Sequence, residues 1–158
     1  MICSRAITGT SLALAFSFPV GADFTGKVVA VADGDTVTVL RGRGQVKVRL
    51  LDIDAPEKAQ AFGNRSKQSL SDLCFNKITK VGDSGKHRCG RTLARVYGDG
   101  VDANAEQVRR GMAWVYERYA PKNSPLHVVQ AEARAARRGL WVDNGPMPPW
   151  KWRSSSRR

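Results

Sequence analysis

Residues 48–57 end an apolar, β-type segment in charged groups whose chemistry suits a phosphate site. Arg49 is a cation inside the apolar run, and Asp54 and Glu57 are carboxylates just beyond it. Pro56 has no N–H to donate to a sheet, so a strand must stop before it and leave Glu57 on a loop. A guanidinium binds two phosphoryl oxygens at once, whereas carboxylates bind a hard cation. This segment is therefore a candidate centre for phosphodiester chemistry.

A second pair of acids lies upstream, before the β-branched residues 36–40. Asp33 and Asp35 are one residue apart, and at the start of a strand this spacing directs both side chains to one face. Paired carboxylates suit Ca²⁺ or Mg²⁺, although an Asp-Gly-Asp sequence alone is more commonly a solvated turn. Alternation also puts Asp52 and Asp54 on one face, so spacing does not choose between them as a further ligand.

The chemistry of the remaining charged residues indicates their roles. Glu57 is a candidate general base that activates water beside a cation. Arg49 and Arg91 are candidate phosphate clamps that stabilise charge developing in the transition state. Strict alternation puts Arg49 and Asp54 on opposite faces of a regular strand. The interpretation therefore requires a bulge or a bend between them.

Three further residues are candidates for substrate binding. Tyr116 and Tyr119 carry rings on which nucleic-acid bases could stack, although aromatic residues after a glycine more often belong to a core. Arg88, a cation in the polar loop 82–90, is also assigned to substrate binding.

The elements that must position these residues follow a mainly β pattern. Five short β-type segments are predicted as strands, at residues 26–31, 36–40, 45–51, 78–81 and 92–97. Three helices are predicted, near residues 64–76, 103–110 and 124–139. Short strands with interposed helices favour a small closed barrel. The predicted fold is therefore α+β, mainly β barrel, with a five-stranded OB-fold barrel and about three helices.

The net charge and the N-terminus bound the class of protein. The 158 residues carry a formal net charge of +12, which favours a polyanionic partner such as nucleic acid. Residues 1–22 have the pattern of a secretory signal peptide, with Arg5 followed by an apolar run at 12–18 that is too short to span a bilayer. Cleavage near Ala22 would export the protein to the periplasm or the extracellular medium.

The predicted organisation after the signal peptide is a single domain and a tail. Residues 23–145 form the domain, and residues 146–158 are a Pro/Trp-rich, basic tail that is expected to be extended with a disordered end. Cys74 and Cys89 are predicted to form a disulfide, because exported proteins meet oxidising conditions. In the loop-entropy treatment, closing about 15 residues contributes roughly 3 kcal/mol.

In their order and spacing these segments resemble the staphylococcal nuclease (thermonuclease) family. The resemblance spans about residues 24–141, and it is carried by segments 32–36, 49–57, 90–94, 104–113 and 135–141. It implies an OB-fold barrel with three helices. It also implies a Ca²⁺-dependent nuclease that acts on DNA and RNA and leaves 3′-phosphate ends.

The resemblance also implies a role for each site residue. Asp35 and Asp54 match the family's metal ligands, joined by the backbone carbonyl of Ala55, with Asp33 in the near shell. Glu57 matches the base, and Arg49 and Arg91 match the phosphate-binding arginines.

The chain departs from the family pattern at several positions. Ala55 replaces a usual threonine, Cys89 replaces an aromatic residue, and Glu117 replaces one of two nucleotide-binding tyrosines, whereas Tyr119 matches the other. The loop after Glu57 is also shorter and lacks a lysine cluster.

A metal-dependent endonuclease is favoured over a non-catalytic OB-fold module that binds single-stranded nucleic acid. A pure binder has no need of three acids facing a polyanion, because they repel it. A cationic membrane-active protein would need a basic amphipathic helix with a large apolar face, which the sequence lacks. The predicted partners are DNA and RNA substrates, with no stable protein partner and no membrane, and the protein is predicted to be a monomer.

Overall fold

The computed structural model describes residues 23–86 and 90–156. Its strands are β1 (Phe24–Asp33), β2 (Thr36–Arg41), β3 (Gly44–Leu50), β4 (Ile53–Asp54), β5 (Ile78–Lys86), β6 (Thr92–Gly98), β7 (Val101–Asp102) and β8 (Trp114–Val115). Its helices are α1 (Gly63–Cys74), α2 (Ala103–Arg109), α3 (Leu126–Ala135) and α4 (Pro149–Ser155), with a 3-10 helix at Gly139–Val142.

Five of these strands close into a barrel. The sheet runs in the order β3-β2-β1-β5-β6-β7, and β3 also pairs with β6, in parallel, so that Arg49 lies beside Leu93. All other pairs in this sheet are antiparallel. This closure is that of the OB-fold, and the predicted α+β barrel is confirmed.

Alternate residues of the barrel strands point inward and form the main core. These residues are mostly β-branched, which suits the crowded face of a pleated sheet. The fully buried valines of the barrel are Val28, Val37, Val39, Val48, Val81 and Val96. A second apolar cluster contains Trp114, Trp141 and Leu140, and Trp150 packs against it. The second cluster ties the C-terminal segments to the β8 region.

The predicted helices occur with changed ends. α1 begins at Gly63 rather than Asn64. Only glycine fits at position 63, because a Cβ there would lie 2.1 Å from the Glu57 carbonyl oxygen. α3 ends at Ala135, four residues before the predicted stop at Gly139. Gly139 instead has a φ of 54° and packs directly on the backbone of Gly111, where a Cβ would lie 2.3 Å from the carbonyl oxygen.

Two predictions about extended segments are wrong in part. The strand predicted at residues 78–81 continues to Lys86, because it pairs with β6 over much of its length. The tail predicted as extended contains α4, which begins with Pro149 at its first position, where a missing N–H is tolerated. Tertiary contacts of Trp150, described below, hold this short helix on the domain.

Several predictions concern residues outside the described ranges. The signal peptide at residues 1–22, Arg88 and Cys89 belong to this group. Cys74 is a buried free thiol, and burial raises its pKa to about 11. Its pairing with Cys89 stays a prediction. Among the described helices, none combines the length and the apolar character needed to cross a bilayer.

Asn104 connects α2 to β6 and to Leu51, the residue directly after β3, and its loss should weaken the fold. Its side-chain oxygen accepts from the Val96 N–H, and its amide donates to the carbonyls of Leu51 and Ala94. We expect Asn104→Ala to lower the free energy of unfolding by about 2–5 kcal/mol, because buried backbone groups lose their partners. Urea denaturation measures the change, with the exposed Asn64→Ala as the matched control. Equal stability of the two variants would contradict this role.

Candidate active site

The turn between β1 and β2 carries the first two acids. The Asp35 N–H donates to Asp33 Oδ1 at 3.1 Å, which folds the Asp-Gly-Asp segment back on itself. Gly34 lies directly on α1, where a Cβ would stand 1.8 Å from Ser66 Oγ. From α2, Gln107 Nε2 donates to the carbonyls of Gly34 at 2.7 Å and Ser66 at 3.1 Å. Both helices therefore fix the position of this turn.

The chain bends after β3, as the positions of Arg49 and Asp54 require. Asp52 has a φ of 65°, a left-handed conformation that breaks the strand's alternation. The bend turns the Asp52 side chain toward Arg95, with 3.5 Å between Oδ2 and Nη2. Asp54 is left on the side of Arg49. The predicted bend is confirmed, and Asp52 lies apart from the other acids.

Arg49 joins the two buried acids. Its Nη2 atom is 2.7 Å from Asp54 Oδ1 and 3.1 Å from Asp35 Oδ2. Asp35 is 2% exposed and Asp54 is fully buried. Asp35 accepts two further hydrogen bonds, from the Ala55 N–H to Oδ2 at 2.9 Å and from Thr36 Oγ1 to Oδ1 at 2.8 Å. The strand end and the upstream turn thus meet at one guanidinium.

Burial controls the ionisation of Asp35. Desolvation raises the pKa of Asp35 to about 7, and the nearby carboxylates of Asp33 and Asp54 act in the same direction. The attraction of Arg49 and the hydrogen bond from the Ala55 N–H lower this pKa but do not outweigh burial. A further positive charge beside Asp35 would therefore favour its ionised form.

A residue that the sequence analysis did not assign completes the cluster. Arg153 of α4 reaches Asp54 with Nη2 at 2.7 Å from Oδ2, and Glu57 with Nη1 at 2.7 Å from Oε1. Glu57 lies on the loop after Pro56, as predicted, and its side chain is 40% exposed. The signal for Arg153 was the Pro-Pro-Trp-Lys-Trp-Arg sequence, since a proline can begin a helix as well as interrupt one.

The other candidate residues lie around this centre without joining it. Arg91 makes no hydrogen bond or ion pair with another described residue. In the parallel register, Arg49 is the partner of Leu93. Arg91 lies two residues before Leu93 and is therefore on the face that Arg49 occupies. Tyr119 is 61% exposed, whereas Tyr116 stacks on Trp150 with ring centroids 5.3 Å apart. The exposed ring of Tyr119 is the freer of the two for stacking on a base.

The acidic side chains of the cluster are the candidate donors for a cation. Within residues 23–86 and 90–156, no group of three or more His, Cys, Asp or Glu side chains is arranged to hold a metal ion. The donors present are carboxylate oxygens, and Asp35 and Asp54 both contact one guanidinium nitrogen. Carboxylate oxygens are the ligand type that hard cations such as Ca²⁺ prefer, so the chemistry of these two donors is compatible with such a cation.

The fold and this cluster define an OB-fold protein with a buried centre of carboxylates and arginines. The sequence profile described as staphylococcal nuclease homologue matches residues 47–143. The chain is 43% identical over 157 residues to the micrococcal nuclease of Shigella flexneri, across 93% of this chain and 90% of that protein. The chain therefore belongs to the staphylococcal nuclease family.

Two further relatives agree with this assignment. The chain is 47% identical over 140 residues to an uncharacterized endonuclease of Escherichia coli O157:H7, across 87% of this chain and 91% of that protein. It is 40% identical over 153 residues to the protein ParB of Escherichia coli, across 90% of this chain and 86% of that protein. The family match, the micrococcal nuclease and the Escherichia coli O157:H7 endonuclease support an endonuclease of the staphylococcal type.

The raised pKa of Asp35 predicts a pH-dependent stability in cation-free protein. The folded state holds this proton at pH values where the unfolded state has lost it, so stability falls as pH rises toward 7. Relative to Asp35→Asn, we expect the wild type to lose up to about 1.4 kcal/mol of unfolding free energy per pH unit between about pH 4 and 7. Urea denaturation in chelator, at several pH values, measures the difference. A difference that stays constant with pH would show that Asp35 titrates normally.

Proposed function

We propose that the protein is an exported, Ca²⁺-dependent endonuclease that hydrolyses the phosphodiester bonds of DNA and RNA and leaves 3′-phosphate ends. The observation that carries the proposal is that Asp35 and Asp54 both contact the Arg49 guanidinium, with Glu57 on the adjacent loop. The relatives named as nucleases support the same reaction.

The proposed site residues divide into three groups. Asp35, Asp54 and the Ala55 carbonyl would hold the cation, with Asp33 beside them. The cation would supply a positive charge that offsets the negative charge developing on the phosphate. Arg49 and Arg91 bind the scissile phosphate, because a guanidinium offers two parallel donors. Tyr119, with Tyr116 and Arg88, contacts the rest of the nucleic acid.

Glu57 is the proposed general base. Its carboxylate takes a proton from the attacking water, and the oxygen of that water forms a bond to phosphorus. The bond from phosphorus to the 5′ oxygen breaks, and this oxygen takes up a proton from solvent and leaves as a hydroxyl group. The phosphate therefore stays on the 3′ side. Charge accumulates on the phosphoryl oxygens as the bonds change, and Arg49 and Arg91 stabilise it in this proposal. The 40% exposure of the Glu57 side chain gives water access to this base.

Export and redox state complete the proposal. Removal of residues 1–22 by cleavage near Ala22 delivers the mature chain to the periplasm or the medium, where Cys74 and Cys89 meet oxidising conditions. The formal net charge of +12 supports binding to a polyanion in either compartment. DNA and RNA are the proposed substrates, and the protein acts as a monomer without a stable protein partner.

Glu57→Gln should remove most of the activity and leave substrate binding in place. We expect cleavage of single-stranded DNA in Ca²⁺ to fall by about 10²–10⁴, the usual contribution of a general base. Affinity for the same DNA should change little, because the phosphate-binding arginines remain. A gel assay measures cleavage, and fluorescence anisotropy measures binding in chelator.

The matched control is Glu132→Gln, the same chemical change at an exposed position of α3. It should cut at the wild-type rate, and chelator should abolish cleavage by both wild type and control. Bound DNA that stays intact with wild-type protein under every divalent cation would overturn the proposal. That result would make the chain a non-catalytic module for single-stranded nucleic acid.

A further inference from the structure

The C-terminal arm, defined as residues 146–156, is docked beside the proposed catalytic carboxylates. Gln60 anchors it, because the amide nitrogen of this buried side chain donates to the Met147 carbonyl while the amide oxygen accepts from the Glu57 N–H. Trp150 provides a second anchor by stacking on Tyr116, with an interplanar angle of 12°. The arm is therefore attached to the same loop that carries the proposed base.

The end of the arm places a guanidinium on two acids at once. Arg153 Nη2 is 2.7 Å from Asp54 Oδ2, and Nη1 is 3.2 Å from Asp54 Oδ1 and 2.7 Å from Glu57 Oε1. Since Arg49 also donates to Asp54 Oδ1, both oxygens of the buried Asp54 carboxylate bind guanidinium groups. The hydrogen bond with Asp54 is the main cause that raises the pKa of Arg153, so this side chain keeps its positive charge.

We propose that the arm is a latch in which Arg153 competes with the divalent cation for Asp54 and holds Glu57 in an ion pair. The inference rests on the proposed function, because it takes Asp54 as a cation ligand and Glu57 as the base. A divalent cation on the Asp54 oxygens would stand at contact distance from the Arg153 guanidinium and repel it, and Arg153, whose side chain is 30% exposed, has room to move into solvent. Cation binding therefore displaces Arg153, and the displaced contacts reduce the apparent affinity for the cation.

The latch connects metal loading to release of the base. While Arg153 is in place, its charged hydrogen bond engages Oε1 of Glu57, so this oxygen is not available to a water proton. When the cation takes Asp54, Arg153 leaves both acids in one movement, because a single guanidinium binds both. The anchors at Met147 and Trp150 keep the freed arginine close to the site.

The test measures Ca²⁺ affinity without substrate. Isothermal titration calorimetry compares full-length mature wild type, Arg153→Gln and Lys151→Gln. Lys151 is exposed on the same helix, so its variant makes the same change of charge without touching the acids. We expect Arg153→Gln to bind Ca²⁺ at least about fivefold more tightly than wild type, the lower end of typical coupling between two ligands. Lys151→Gln should stay near the wild type.

The same titration separates failure of the latch from failure of the proposed function. Wild-type affinity in Arg153→Gln, or a gain no larger than that of Lys151→Gln, overturns the latch alone if Ca²⁺ still binds and supports cleavage. If no protein binds Ca²⁺, both proposals fall. Arg153→Lys is the second variant in case Arg153→Gln does not fold, because it keeps the charge but not the two-pronged contact. It should also bind Ca²⁺ more tightly than wild type, and wild-type affinity there contradicts the latch.

Discussion

Arg49 holds two carboxylates that lie almost entirely out of water, and the rest of the site is arranged around that contact. Removing ions from water costs several kcal/mol each unless a partner and hydrogen bonds replace the solvent. Asp35, Arg49 and Asp54 therefore constrain one another, although they come from a turn, a strand and the segment beyond a bend, respectively. A displacement of any of the three leaves a buried charge without its partner. The closing of the barrel, the bend after β3 and the packing of the β1–β2 turn are joined through this one guanidinium.

The barrel and the bend were predictable because they depend on local patterns. β-branched segments with tight turns specify strands within a few residues, and five of them have few ways to close. The conflict between alternation and the chemistry of Arg49 and Asp54 required a bend, and the structure has one. Alternation could not choose between Asp52 and Asp54, since it assumes a regular strand. The positive φ of Asp52 interrupts the regular strand and turns the Asp52 side chain toward Arg95.

The parts of the site that depend on distant contacts could not be predicted. Arg153 meets Asp54 across 99 positions of sequence, and Gln107 meets Gly34 across 73. The residues of a proline-rich tail, considered alone, predict an extended segment. Its helix forms against Tyr116 and the second apolar cluster, so tertiary packing overrides local preference. The sequence similarly predicts Gly139 as a helix stop, but its lack of a side chain serves a close contact between two backbones.

The packing of Gly34 under α1 and α2 has a consequence for how the protein loses activity. Proteins open locally in cooperative units, and an outer helix detaches at a smaller free energy than the whole fold. The turn that carries Asp33 and Asp35 is held by Ser66 and Gln107, so it belongs to the helical layer as much as to the barrel. Once that layer loosens, Asp35 is no longer held against Arg49, even though the strands remain paired. Heat should therefore inactivate the protein by a partial opening, while the circular dichroism of its sheet is still native.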